Sequence, residues 1–184
     1  MKLFMVLIGC KPDGRNTEQH DIFFSIADEL KDLIPQFISF WPEAENKMHL
    51  DGWREVTQVN GQNISIVLKK RMNSHSSTHK LFFINLGGYK HNEFEEFHYK
   101  TLVAAANKSV AIQQAKQTAF YKHTGFEGAP SHVDDKYGID VDDVYEIEDI
   151  LPAAIKNEYA IVLSPASVIK EDALHLGYFK LDKL

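Results

Sequence analysis

Histidine and carboxylate side chains two residues apart are the first chemistry this chain offers. Glu18-x-His20 and Glu96-x-His98 both fall in stretches that read as strands, and residues i and i+2 of a strand share a face. An imidazole beside a carboxylate on one face can be a base with its orienting partner, or two metal ligands. The plainer alternative is a half-exposed hydrogen-bonded pair at a strand edge. His49-x-Asp51 and His132-x-Asp134, the latter followed by Asp135, repeat the combination. Imidazole with carboxylate suits a nitrogen and oxygen metal site, yet no His-Glu-x-x-His, no paired Cys-x-x-Cys and no calcium-loop pattern occurs. The sequence therefore assigns no metal, no cofactor and no catalytic residue. Glu18, His20, His49, Asp51, Glu96, His98, His132 and Asp134 stand as candidate binding residues.

Other reactive or ligand-binding types have structural readings. Cys10 could be a nucleophile if His20 approached it, but free cysteine is among the most buried residue types and burial is the expectation. Gly87-Gly88 after an apolar run opens like a phosphate-cradling loop, yet no Lys-Ser and no Gly-x-Gly-x-x-Gly follows, so it reads as a turn. The acidic residues from Asp134 to Asp149 alternate with Ile139, Val141, Val144 and Ile147, the pattern of a strand solvated on one side. Trp41, Trp53, Phe23, Phe24, Phe37 and Phe40 read as core and interface.

The elements that must position these side chains recur along the chain. Leu7-x-Gly9-x-Lys11 returns as Leu86-x-Gly88-x-Lys90, and Glu18-x-His20 as Glu96-x-His98. His49-Leu50-Asp51 returns as His132-Val133-Asp134, while Asp51 with Glu55-Val56 also matches Asp142 with Glu146-Ile147. Ile66-Val67-Leu68 returns as Ile161-Val162-Leu163. The anchors keep their order while their separation grows from 78 (Glu18 to Glu96) to 95 (Ile66 to Ile161), as an inserted loop near residues 124 to 143 would produce.

Each copy then yields one string of elements. Apolar runs at 3 to 9 and 80 to 86 predict buried strands, followed by second strands near 20 to 27 and 97 to 105. A helix is expected from Lys108 to His123, with Asn107 as N-cap and Ala111, Ile112, Ala115 and Ala119 on one face. Its counterpart over 28 to 41 carries Pro35, which predicts a kink or two short helices. Closing strands are expected at 53 to 58 with 63 to 69, joined by Asn60-Gly61 as a tight hairpin, and at 143 to 148 with 159 to 163. The fold class is α+β: two tandem ββαββ repeats, 1–70 and 80–184, each a mainly antiparallel sheet with one helix packed on it in a β-grasp-like roll. Residues 71–79 read as a polar linker, and the apolar tail from Leu174 to Leu181 as a last strand.

Composition narrows the partners. The 184 residues carry a net charge of −6, which disfavours a broad nucleic-acid surface and docking on anionic lipid. Leu7-Ile8-Gly9-Cys10 has the form of a lipoprotein cleavage box, but the apolar run before it is too short for an export signal and returns at residues 81 to 89. One cysteine cannot form an internal disulfide, which fits a reducing cytoplasm.

Several clusters resemble the bacterial domain-of-unknown-function family 1543 (DUF1543). They include Glu18-Gln19-His20, Phe40-Trp41-Pro42, His49-Leu50-Asp51-Gly52-Trp53-Arg54-Glu55-Val56, Asn85-Leu86-Gly87-Gly88-Tyr89, Phe94-Glu95-Glu96-Phe97-His98 and Ser131-His132-Val133-Asp134-Asp135. The resemblance implies a cytoplasmic two-copy member and supplies no activity. Two functions fit this inventory: a non-enzymatic binding or interaction module, able to form a homo-oligomer and to take a small molecule or protein, or a hydrolase using histidine and carboxylate with or without a divalent metal. Convergence of at least three of Glu18, His20, His49, Glu96, His98 and His132 in one pocket would favour the enzyme; scattered positions would favour the module.

Overall fold

Alternation along the first strand decides where its helix must lie. In β1 (Lys2–Cys10) Phe4, Val6, Ile8 and Cys10 point to one face and are almost wholly buried. β2 (Gln19–Ala27) pairs antiparallel to β1, and the segment after it lays Leu33 and Phe37 over that face. Phe23 meets Phe37 edge to face, with ring centroids 5.3 Å apart; each such fully buried side chain contributes roughly 1.5–3 kcal/mol. The Pro35 expectation holds in a specific form: a 3-10 turn at Leu30–Leu33 precedes α1 (Ile34–Phe40), and Pro35 sits in the first turn of α1, where a missing N–H costs nothing. Cys10 belongs to this core, where its thiol donates to the Ala44 carbonyl and burial raises its pKa.

The computed structural model describes residues 1–44, 47–72, 77–89, 92–124 and 140–184. The fold is mixed α+β with three antiparallel sheets. The chain divides into two compact units, Met1–His75 with Ile150–Leu184, and Ser76–Asp149.

In the first unit, β3 (His49–Glu55) pairs with β1 on the side opposite β2, and β10 (His175–Lys180) pairs with β3, giving the order β10-β3-β1-β2. The strand expected over 53 to 58 is divided. After Glu55 the chain leaves this sheet, and the Thr57 N–H turns to the Asp172 carboxylate at 3.1 Å. It then forms β4 (Gln58–Val59), which is joined to β5 (Gln62–Leu68) through Asn60 and Gly61 at φ 48° and 71°. Two positive φ values make the turn that matches strand twist.

In the second unit, β6 (Lys80–Tyr89) lies between β7 (Glu96–Ala105) and β8 (Asp140–Glu146). α2 (Lys108–Thr124) starts where Asn107 accepts a hydrogen bond from the Val110 N–H at 3.1 Å, and it buries Ala111 and Ala115 against Phe82, Ile84 and Leu86. Gly87 and Gly88 do not turn. They extend β6, paired with His98 and Phe97.

The expected roll of two self-contained four-stranded sheets does not form. Between β8 and β9 (Tyr159–Pro165) the chain is helical, in α3 (Ile147–Ile150) and α4 (Ala153–Glu158), so no hairpin joins them. β9 pairs instead with β5, and Ile161 stands opposite Ile66. The strand that would close the second repeat thus completes a sheet of the first unit. Among the described residues no helix is long and apolar enough to cross a membrane.

Two outcomes test these assignments. Gly61→Ala, which forces a side chain into positive φ, should destabilise the first unit by about 1–2 kcal/mol in urea unfolding. Cys10 in the native protein should resist iodoacetamide at neutral pH and react once urea unfolds the chain, because burial removes access and holds the thiol protonated.

Candidate functional site

Backbone register brings the candidate residues together. Gly9, near the end of β1, pairs with His20 on β2 and with His49 on β3. Directly paired residues share a face, so both imidazoles flank a strand position that has no side chain. A β-bulge follows: Ile8 pairs with Leu50 and Leu7 with Gly52, leaving Asp51 as the extra residue. The bulge re-aims Asp51 toward His49, while Leu50 stays in the core.

The four side chains converge. His49 Nε2 lies 3.0 Å from Glu18 Oε1 and 3.2 Å from Asp51 Oδ1. His20 Nε2 lies 3.1 Å from Asp51 Oδ2 and 3.7 Å from Glu18 Oε2. The His49 side chain is 4% exposed, whereas His20 and Glu18 are 40% and 42% exposed, so the cluster opens to solvent on one side. Tyr178 of β10 covers the His49 ring, with centroids 4.2 Å apart. His175 stacks in parallel on Trp53 at 3.8 Å.

Distance and direction disagree here. Both nitrogens of His49 and Oδ2 of Asp51 are buried without a hydrogen-bond partner, although carboxylate and imidazole atoms stand at hydrogen-bonding distance. The contacts are close but not aligned along an N–H bond. A buried polar atom left in this state costs about 1–3 kcal/mol.

Gly9 makes the space. A Cβ there would lie 2.2 Å from Asp51 Oδ2 and 2.6 Å from His49 Nε2. No residue with a side chain can occupy that position while the cluster stands.

The second unit repeats the construction. An increment of 78 residues carries the Lys2–Ala27 pair to Lys80–Ala105 and the Gly9–His20 pair to Gly87–His98. Gly9 therefore corresponds to Gly87, not Gly88, and Cys10 to Gly88, one residue from the match read in the sequence. The β6–β8 ladder has its bulge at Asp142, the place Asp51 holds in β3, and Asp140 holds the place of His49. A Cβ at Gly87 would lie 2.6 Å from Asp142 Oδ2. Donor atoms of Glu96, His98 and Asp142 lie within 4.8 Å of one another, and this group could hold a metal ion, though all three residues are exposed. Lys2 meets Glu55 at 3.4 Å and Lys80 meets Glu146 at 2.7 Å, an ion pair at the matching place in each ladder.

Among the sequence candidates, Glu18, His20, His49 and Asp51 form one group, and Glu96 with His98 another. His132 and Asp134 lie outside the described residues. Gly9, Gly87, Asp142 and Tyr178 were not among the candidates. Gly9 and Asp142 belonged to the repeated anchors, which was a signal; Tyr178 gave none.

A crystal structure of protein Il1583 from Idiomarina loihiensis is similar over 98% of this chain and 97% of its own, with TM-score 0.65 and 22% identity, which supports the fold alone. No curated protein matches. Residues 15–66, a span holding Glu18, His20, His49 and Asp51, match the family model described as Domain of Unknown Function (DUF1543).

Proposed function

We propose that the protein is a non-enzymatic binding module built by internal duplication, in which the ends of β1 and β6 each carry a receptor for a cationic group. The observation behind this reading is the recurrence, at one register, of a side-chain-free strand position flanked by an imidazole and overhung by a bulge carboxylate: Gly9, His20 and Asp51, then Gly87, His98 and Asp142. Packing alone does not require a glycine in a strand interior, where it weakens the strand; close approach of other groups does. The carboxylates bring negative charge to each cluster. A small cation, or a guanidinium or ammonium group on a small molecule or protein, is the complementary ligand.

A hydrolase would need a substrate cleft beside the same side chains. Among the described residues, one cleft of the second unit is lined by Lys80, Asn107 and Glu146, at the opposite end of β6 from Gly87. Glu18, His20 and His49 do converge, as the enzyme reading asks, but they open to solvent on one side instead of lining an enclosed pocket, and the glycine-centred frame that recurs in both units favours the binding reading.

The test is a thermal-shift panel of zinc, magnesium, arginine amide and spermidine on the wild type, Gly9→Ala, Gly87→Ala and the double variant. Neither glycine requires positive φ, and a methyl there meets the tips of Asp51, His49 or Asp142 rather than backbone. Both variants should fold. At a ligand concentration one hundred times Kd the wild type should gain about 2.7 kcal/mol, and the double variant should gain nothing. If no cation in the panel gives a shift that the glycine substitutions erase, the proposal fails.

A further inference from the structure

Resting on the reading of the Gly87 cluster as a cation receptor, we infer that Glu96, His98 and Asp142 form a binding site for a divalent first-row transition-metal ion, zinc or one of its neighbours.

Reach across the sheet comes first. β7 and β8 flank β6 on opposite sides, and with neighbouring strands about 4.8 Å apart their backbones stand roughly 10 Å from each other. An ordinary β6 side chain would stand between them. Gly87 removes it: a Cβ there would lie 2.6 Å and 2.8 Å from the two carboxylate oxygens of Asp142. The Asp142 carboxylate therefore lies over β6, and Glu96 and His98, two residues apart on one face of β7, reach it there. One donor atom from each of the three lies within 4.8 Å of the other two.

Spacing comes second. His98 Nε2 stands 3.5 Å from Asp142 Oδ2, longer than the roughly 2.7–3.2 Å of an N–H···O hydrogen bond. Neighbouring donors around a tetrahedral ion with bonds of about 2.0–2.2 Å stand roughly 3.4 Å apart. Glu96 is exposed and can swing its carboxylate to close the third position. Two carboxylates brought this close repel each other, and a divalent cation turns that repulsion into attraction toward a shared centre.

The Gly9 cluster shows what a second imidazole changes. Glu18 and Asp51 each turn one oxygen to His49 and the other to His20, so those contacts join separate pairs of atoms and gather at no common centre. In the second unit Asp140 holds the place of His49, which leaves the imidazole of His98 with the carboxylates of Glu96 and Asp142.

Donor chemistry selects the ion. One imidazole with two carboxylates suits zinc, manganese, cobalt and nickel, whereas all-oxygen sites favour magnesium and calcium, and thiolate sites favour copper(I). All three residues are exposed, so water fills the remaining positions and the ion exchanges with the medium without holding the fold.

The experiment uses the full chain, free of any affinity tag and stripped with a chelator, titrated with Zn²⁺ against a chromophoric competitor. Wild type, His98→Ala, Asp142→Asn, Gly87→Ala and His20→Ala are compared, each with circular dichroism to check the fold. Even outer-shell partners of metal-bound histidine contribute about 10–100-fold in affinity, so His98→Ala and Asp142→Asn should each weaken Zn²⁺ by about 100-fold or more. Gly87→Ala should weaken it too, by pushing the Asp142 carboxylate off its place, and His20→Ala should keep it. Substoichiometric Mn²⁺ should broaden the ring-proton resonances that are missing from the His98→Ala spectrum. Unchanged Zn²⁺ affinity in both His98→Ala and Asp142→Asn would overturn the inference, as would binding that His20→Ala abolishes and His98→Ala retains. If Zn²⁺ and Mn²⁺ fail to bind while arginine amide or spermidine binds in a Gly87-dependent way, the metal assignment falls and the receptor reading stands; if nothing binds, both fall.

Discussion

One residue of excess length in β3 sets the position of every polar group near Gly9. Without the bulge, Asp51 would sit opposite a β1 residue in the ordinary ladder and its carboxylate would follow the strand's alternation. With it, His49 and Asp51 crowd toward a single point while Leu50 still reaches the core. That crowding is sterically possible because β1 presents only a hydrogen there. Bulge and glycine depend on each other: the first directs the carboxylate inward, the second gives it somewhere to go.

The same pairing of devices at Gly87 and Asp142 lets the two units be compared as chemistry. Their frames agree in register, bulge position and flanking ion pair. They differ in what surrounds the polar groups. β10 runs along β3 and lays Tyr178 over His49, while in the second sheet β8 is the outermost strand. One cluster is accordingly half enclosed, and the other is open to water. A matching strand register thus presents two environments.

Much of this was legible in the sequence, and the failures share a cause. Apolar runs at 3 to 9 and 80 to 86 and the Asn60-Gly61 turn were readable because their signals are local. The Glu18-x-His20 spacing was readable for the same reason. Convergence of His20 and His49 was not, because it depends on cross-strand register. The break in the strand after Glu55 was hidden too, since the Asp172 that satisfies Thr57 lies 115 residues away. Gly87-Gly88 was misread as a turn because glycine marks both loops and close approach, and only the Asp142 carboxylate tells which applies. The pairing of β5 with β9 could not be foreseen from a repeat, which predicts like elements but not which partner each will choose.

That pairing bears on how the molecule comes into being. The first unit draws its last strands from the far end of the chain, so a ribosome delivering residues in order completes Ser76–Asp149 before β9 and β10 exist. During that interval β5 and β3 each have an unsatisfied edge, a template for mispairing with another nascent chain. Contacts of such wide sequence separation form slowly. The intervening unit is continuous in sequence, so its own contacts span shorter separations than those that close its neighbour.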